Sequence, residues 1–82
     1  MSYERVKQAK KTIIGTKQTA KAMDSGQVKE LFVALDAEER ITEPVVQSAK
    51  NKGIPVYFVD SKRELGKACG IQVAATIVAI AE

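Results

Sequence analysis

Leu31-Phe32-Val33-Ala34-Leu35 is an unbroken apolar run that ends in the acidic segment Asp36-Ala37-Glu38-Glu39. It is too short for a buried helix, and it lacks the alternation of a strand with one wet face. It therefore reads as a central strand, within 28–35, that is buried on both sides. A strand of that kind needs cover above and below its sheet, and the flanking sequence supplies it. Gly and Pro punctuate the chain at intervals of about 10 to 15 residues, and the hydrophobic period alternates between the pieces.

Ser2 suits the cap of a helix over 3–11, with Tyr3, Val6 and Ala9 or Lys10 on one face and Glu4 favourably placed in its first turn. Thr12-Ile13-Ile14 is a short strand ended by Gly15. Thr16 is placed to cap a second helix over 17–25, and Gly26 falls where a left-handed residue closes it. Thr42-Glu43-Pro44 marks the start of a third helix, which runs to about Lys52 before Gly53. Pro55 opens a strand through Val56-Tyr57-Phe58-Val59, as a strand's first position allows. Ser61-Lys62-Arg63-Glu64 has the form of a capping box for a fourth helix ended by Gly70, and Ala74 to Ala81 is a last apolar strand. The order α-β-α-β-α-β-α-β predicts an α/β fold: a three-layer α/β/α sandwich around a four-stranded, largely parallel or mixed sheet. Gly66, inside the fourth helix, weakens it by about 1 kcal/mol relative to alanine, so close packing is expected there. Tyr3, Tyr57 and Phe58 are assigned to the core, because both sheet faces are covered.

At 82 residues the chain is expected to be one domain, 1–82. Its 45% hydrophobic and 28% charged composition is that of a globular protein. Absence of a long apolar run or a signal-peptide pattern gives the expectation of a soluble, unexported, cytoplasmic protein. Zero histidines and the single Cys69 leave no zinc cage and no Ser-His or Cys-His pair. No cofactor, no metal and no enzymatic activity are therefore expected. Cys69 reads as a small buried hydrophobe at a helix end.

The net charge of +3 is unevenly spread. Residues 1–23 hold Arg5, Lys7, Lys10, Lys11, Lys17 and Lys21 against Glu4 alone, whereas 24–66 hold eight acids and six bases. A basic end of this kind is a candidate polyanion surface, or else a solvated face of two amphipathic helices. Gly15-Thr16-Lys17-Gln18-Thr19-Ala20-Lys21 carries more information. The glycine lets a large partner approach the backbone, and the helix start points N–H groups and positive dipole outward. Lys17 and Lys21, four apart, rise on one face, and Gln18 carries both a donor and an acceptor able to read a base edge. The spacing of a nucleotide-triphosphate loop is absent. In Leu65-Gly66-Lys67-Ala68-Cys69-Gly70-Ile71-Gln72-Val73, the last three residues either cradle an unstacked base or begin the last strand.

These two segments together resemble the signatures of the kink-turn-binding ribosomal protein family (L-seven-Ae, L-thirty-e and relatives). The first is similar to Gly-x-Asn-Glu-x-x-Lys and the second to the Leu-Gly-x-Ala-x-Gly loop, and the likeness is closest to the short bacterial YbxF-type members. The resemblance implies a ribosome-associated or ribosomal-protein-like RNA-binding protein, monomeric when free. Its target would be kink-turn RNA, of ribosomal or riboswitch type, a bent duplex with tandem sheared G·A pairs beside a bulge. It further implies that Gly15 and Thr16 lie against RNA backbone, that Lys17 and Gln18 read guanines, and that Lys21 meets guanine or phosphate. Ile71, Gln72 and Val73 would hold the extruded base, Lys62 would add a backbone contact, and Glu38 would orient a lysine near the RNA. Lys17 and Gln18 stand where the family usually has Asn and Glu, which weakens the acceptor and raises the positive charge. Binding more salt-dependent than in Asn-Glu members is the expected consequence. Two other readings compete: a small phosphate-ligand module using the Gly15-Thr16 helix mouth, and a protein–protein adaptor using the acidic 36–43 segment.

Overall fold

The computed structural model describes residues 3–81, so the capping role assigned to Ser2 lies outside the described residues. The elements are α1 (Tyr3–Gln8), β1 (Thr12–Ile14), α2 (Thr16–Asp24), β2 (Glu30–Ala34), α3 (Glu39–Asn51), β3 (Val56–Val59), α4 (Lys62–Ala68) and β4 (Ile77–Ile80). One sheet runs β1-β4-β2-β3, and it is mixed: β4 is antiparallel to both neighbours, and only the β2-β3 pair is parallel. The expected three layers are present. Leu31, Val33, Ile77 and Ala79 face α2 and α3, where Ala22, Met23, Val45, Val46 and Ala49 cover them. Phe32, Ala34, Val78 and Ile80 face the other way, toward Val6 of α1 and Leu65 and Ala68 of α4. The alternation of odd and even residues between two buried clusters is the pleat expressed as packing.

Several element bounds differ from the sequence expectation, each for a local reason. Helix α1 stops at Gln8 rather than 11, because the Lys11 carbonyl is already taken by the Ala81 N–H at 3.0 Å in the sheet. Helix α3 begins at Glu39 rather than Thr42: the Glu38 carbonyl accepts both the Ile41 and Thr42 N–H groups, and Glu39 suits the positive end of the dipole. Pro44 therefore lies inside the helix rather than in its first turn. It is exposed, so water can serve the carbonyl that its missing N–H leaves open. Strand β4 is Ile77–Ile80 instead of 74–81, and β2 ends before Leu35, which is 66% exposed although the sequence run suggested burial.

Tyr57 stacks on Phe32 with ring centroids 5.3 Å apart and Tyr3 packs against the α1–α4 core, as expected. Phe58 does not join them. It is 50% exposed, because it sits on β3, an edge strand flanked by only one neighbour. Ser61 caps α4, its hydroxyl accepting the Glu64 N–H at 3.0 Å. The return half of the capping box is replaced, since the Ser61 N–H donates to the Tyr3 hydroxyl at 3.2 Å and so ties α1 to α4. Among the described residues no helix is long and apolar enough to cross a membrane.

Candidate nucleic-acid interface

Sheet register brings four connections to one rim. Ile14 at the end of β1 lies opposite Val78, Val33 near the end of β2 lies opposite Ile77, and Ala34 lies beside Val59 at the end of β3. The carboxyl ends of β1, β2 and β3 and the amino end of β4 therefore coincide. The start of α2, the 35–38 loop, the start of α4 and the 70–76 loop all emerge there. Because β4 lies between β1 and β2, the 70–76 loop is seated between the α2 start and the 35–38 loop.

Gly15 makes the first junction. Its N–H donates to the Ile77 carbonyl at 3.0 Å, and its carbonyl accepts the Thr19 N–H at 3.0 Å, so one residue joins the sheet to the helix. Doing both requires φ 106° and ψ 153°, which only glycine adopts without strain. Gly15 is consequently the N-cap, and Thr16, expected in that role, is the first helical residue. No side chain caps the helix, so its leading N–H groups are not used up by one. Lys17, Gln18 and Lys21 are exposed, while Thr19 on the opposite face is fully buried with its hydroxyl unpartnered among the described residues.

The 70–76 loop is held from below. Ile71 N–H donates to the Gly66 carbonyl at 3.2 Å, Ala75 N–H to the Lys62 carbonyl at 2.9 Å, and Ala34 N–H to the Thr76 carbonyl at 3.0 Å. Gly66 is buried directly beneath: a Cβ there would stand 2.1 Å from the Val73 carbonyl oxygen. This is the close packing expected of that glycine, made against the loop. Neither Ile71 nor Val73 begins the last strand. Ile71 is half-buried on the α4-side core, whereas Val73 is 69% exposed and Gln72 is exposed beside it. Arg63 and Lys67 of α4 share a groove of about 350 Å³ with Ile71, Gln72 and Val73.

Lys62 is exposed at the head of α4, and its backbone N–H donates to the Asp36 carboxylate at 2.8 Å. Glu38 has a different partner from the lysine expected: Arg40 Nε donates to its carboxylate at 2.9 Å, both side chains being largely exposed. Asp36, Arg40 and Arg63 thus join the rim without having been singled out in the sequence. Only Asp36 left a trace there, as part of the acidic run that follows the central strand. Cys69 is half-buried, and that burial raises its thiol pKa, as befits a packing residue.

The chain matches known proteins along nearly all of its length. The family model described as "Ribosomal protein L7Ae/L30e/S12e/Gadd45 family" matches residues 2–82. An RNA-binding protein of Bacillus pumilus is 52% identical over 80 residues, covering 98% of each chain, and the RNA-binding protein YbxF of Geobacillus stearothermophilus has the same identity and coverage. Neither is named for a reaction. Among solved structures, the 15.5kD RNA binding protein of Giardia lamblia superposes with a TM-score of 0.84 at 25% identity, over 98% of this chain and 68% of its own. A Bacillus halodurans protein of unknown function gives a TM-score of 0.85 at 22% identity, over 98% and 80%, which speaks to the fold alone. With its whole described length matched by that model and relatives 52% identical over nearly all of it, the chain belongs to the Ribosomal protein L7Ae/L30e/S12e/Gadd45 family.

Proposed function

We propose that this protein binds RNA, and that its target is the kink-turn, a sharply bent duplex with tandem G·A pairs and a bulge. The observation that carries the reading is the 3.0 Å bond from the Gly15 N–H to the Ile77 carbonyl, which seats the lysine-bearing start of α2 beside the 70–76 loop. A helix end and a loop at that separation suit two features of one RNA. Exposed Lys17, Gln18 and Lys21 face the groove at the G·A pairs, with Gly15 and Thr16 allowing the backbone to come close. Val73 and Gln72, beside half-buried Ile71, receive the extruded base, Val73 by apolar contact with its face and Gln72 by hydrogen bonds to its edge. Lys62 meets the backbone beyond it, and Glu38 acts through Arg40. The names of the relatives support RNA as the ligand class. The protein acts as one domain, monomeric when free, and reaches the ribosome through such an RNA.

A gel shift tests this with two RNAs, a kink-turn and the same sequence with its G·A pairs replaced by Watson–Crick pairs. Clear preference for the kink-turn is expected, and equal affinity for both removes the reading. Several lysine–phosphate contacts also require affinity to fall steeply between about 50 and 200 mM salt.

A further inference from the structure

A groove of about 260 Å³ leads away from the α2 end of the rim, between α2 and strand β1. Two of its lining residues, Gln18 and Lys21, belong to the proposed RNA site. Lys11, Ser25 and Gln27 extend it along the helix, and Ile13 forms its floor. Among the described residues no carboxylate lines it: Asp24, the single acid of α2, is absent from the wall. Strand β1 is an edge strand, paired only with β4. Its Lys11 carbonyl and Gly15 N–H both bond inward, to Ala81 and Ile77. In an antiparallel ladder the intervening residues alternate, so the N–H groups of Thr12 and Ile14 face outward along the free edge. The groove thus offers two ammonium groups and a row of neutral hydrogen-bonding groups, which is the chemistry of a sugar–phosphate backbone rather than of an apolar or cationic peptide. Its length follows α2, nine residues or about 14 Å.

We infer that one strand of the duplex leaving the kink runs along this groove, with Lys11 gripping phosphate beyond the G·A pairs and Ser25 and Gln27 lining its path. The inference rests on the kink-turn reading above and adds a stem-binding track to it. The protein then measures the stem as well as the bend.

The test uses kink-turn RNAs whose stems are shortened one base pair at a time, with wild-type protein, Lys11→Ala, Lys11→Arg and Gln27→Ala. On the full stem, Lys11→Ala is expected to weaken binding about threefold at low salt and to lower the slope of log affinity against log salt by about one. Lys11→Arg retains affinity, and Gln27→Ala loses less than Lys11→Ala does. The Lys11→Ala deficit disappears once the stem is too short to enter the groove. A deficit of the same size on every stem length, or none on the longest, overturns the track while leaving the rim site standing. A wild-type protein that does not prefer the kink-turn over its Watson–Crick control overturns the rim site and the track together.

Discussion

Replacing Gly66 by alanine sets two effects of known sign against each other. Alanine is the better helix former by about 1 kcal/mol, so on propensity alone α4 gains. Its Cβ, however, would stand 2.1 Å from the Val73 oxygen, 3.1 Å from the Val73 carbonyl carbon and 3.3 Å from the Ala75 nitrogen. Ordinary carbon contacts begin near 3.5 Å, so the loop must retreat by more than about 1 Å. The obstacle is backbone, which has no rotamer to change. Overpacking of this kind costs about 1–3 kcal/mol. Retreat also stretches the Ile71–Gly66 and Ala75–Lys62 hydrogen bonds, each contributing about 1 kcal/mol. The net expectation is a loss of about 2 kcal/mol, or about 8–16 °C in Tm for a domain of this size. Because the displaced segment is the one proposed to hold the extruded base, losing about 1.4 kcal/mol of apolar contact there should lower kink-turn affinity about tenfold at temperatures where the variant is still folded. Gly53→Ala is the control. Gly53 has φ +72°, its Cβ would meet open space, and it lies at the opposite end of the sheet. It should lose about 1–2 kcal/mol through backbone strain and keep its affinity. Circular-dichroism melts and a gel shift decide the matter. A Gly66→Ala protein that melts at or above wild type and binds RNA normally would falsify the packing described here.

Lys17→Ala and Lys21→Ala are exposed substitutions, expected to weaken kink-turn binding while moving stability by no more than about 0.5 kcal/mol. Binding that survives both would show the site to be misplaced. Thr19→Val removes a buried hydroxyl with no partner among the described residues, so Tm should hold or rise by a few degrees, and a large drop would reveal an unseen bond. The Tyr3 phenol pKa is raised above its ordinary value, first by partial burial and next by the hydrogen bond it donates to Asp60. The folded state holds that proton more tightly, so its stabilisation is complete below about pH 10 and is lost as pH climbs through the raised value. Melts of wild type and Tyr3→Phe should therefore differ most at neutral pH and converge in strong alkali. A constant difference across that range would refute the assignment.

The fold was legible in the sequence wherever one short segment carried the whole signal. Leu31 to Ala34 announced a doubly buried strand by lacking any polar residue, and Ser61 with Glu64 announced a helix start by spacing alone. Boundaries set by a distant partner were not legible. Thr16 looked like a cap because threonine often is one. The sheet bond from Gly15 to Ile77, more than sixty residues away, hands that position to the glycine instead. Phe58 and Leu35 looked like core because neither residue type nor pattern says which strand will lie at the edge. Within the proposed site, the lysines and the two glycine-marked segments were nameable from the chain, and what the structure adds is that they share one rim. Asp36's hold on Lys62 depends on two loops that meet only after folding, and Arg40's on Glu38 is a local pair set by the turn into α3, which carries no signature in the sequence.

The antiparallel insertion of β4 explains why two segments far apart in the chain form one surface. Had the strands followed a purely parallel, sequential order, β4 would lie at an edge and the loop before it would emerge at the opposite end of the sheet from the α2 start. With β4 between β1 and β2 and reversed, its preceding loop must emerge beside Gly15 on one side and Ala34 on the other, and both contacts are made by backbone hydrogen bonds. Backbone bonds do not depend on side-chain identity. The rim geometry can therefore persist while residues on it, such as Lys17 and Gln18, change the chemistry presented to RNA. Lysine brings donors only and a full charge, and glutamine a neutral donor–acceptor pair. On this scaffold such exchanges shift the balance between phosphate attraction and base reading without moving either half of the site, which is why salt dependence, rather than loss of binding, is where their effect should be sought.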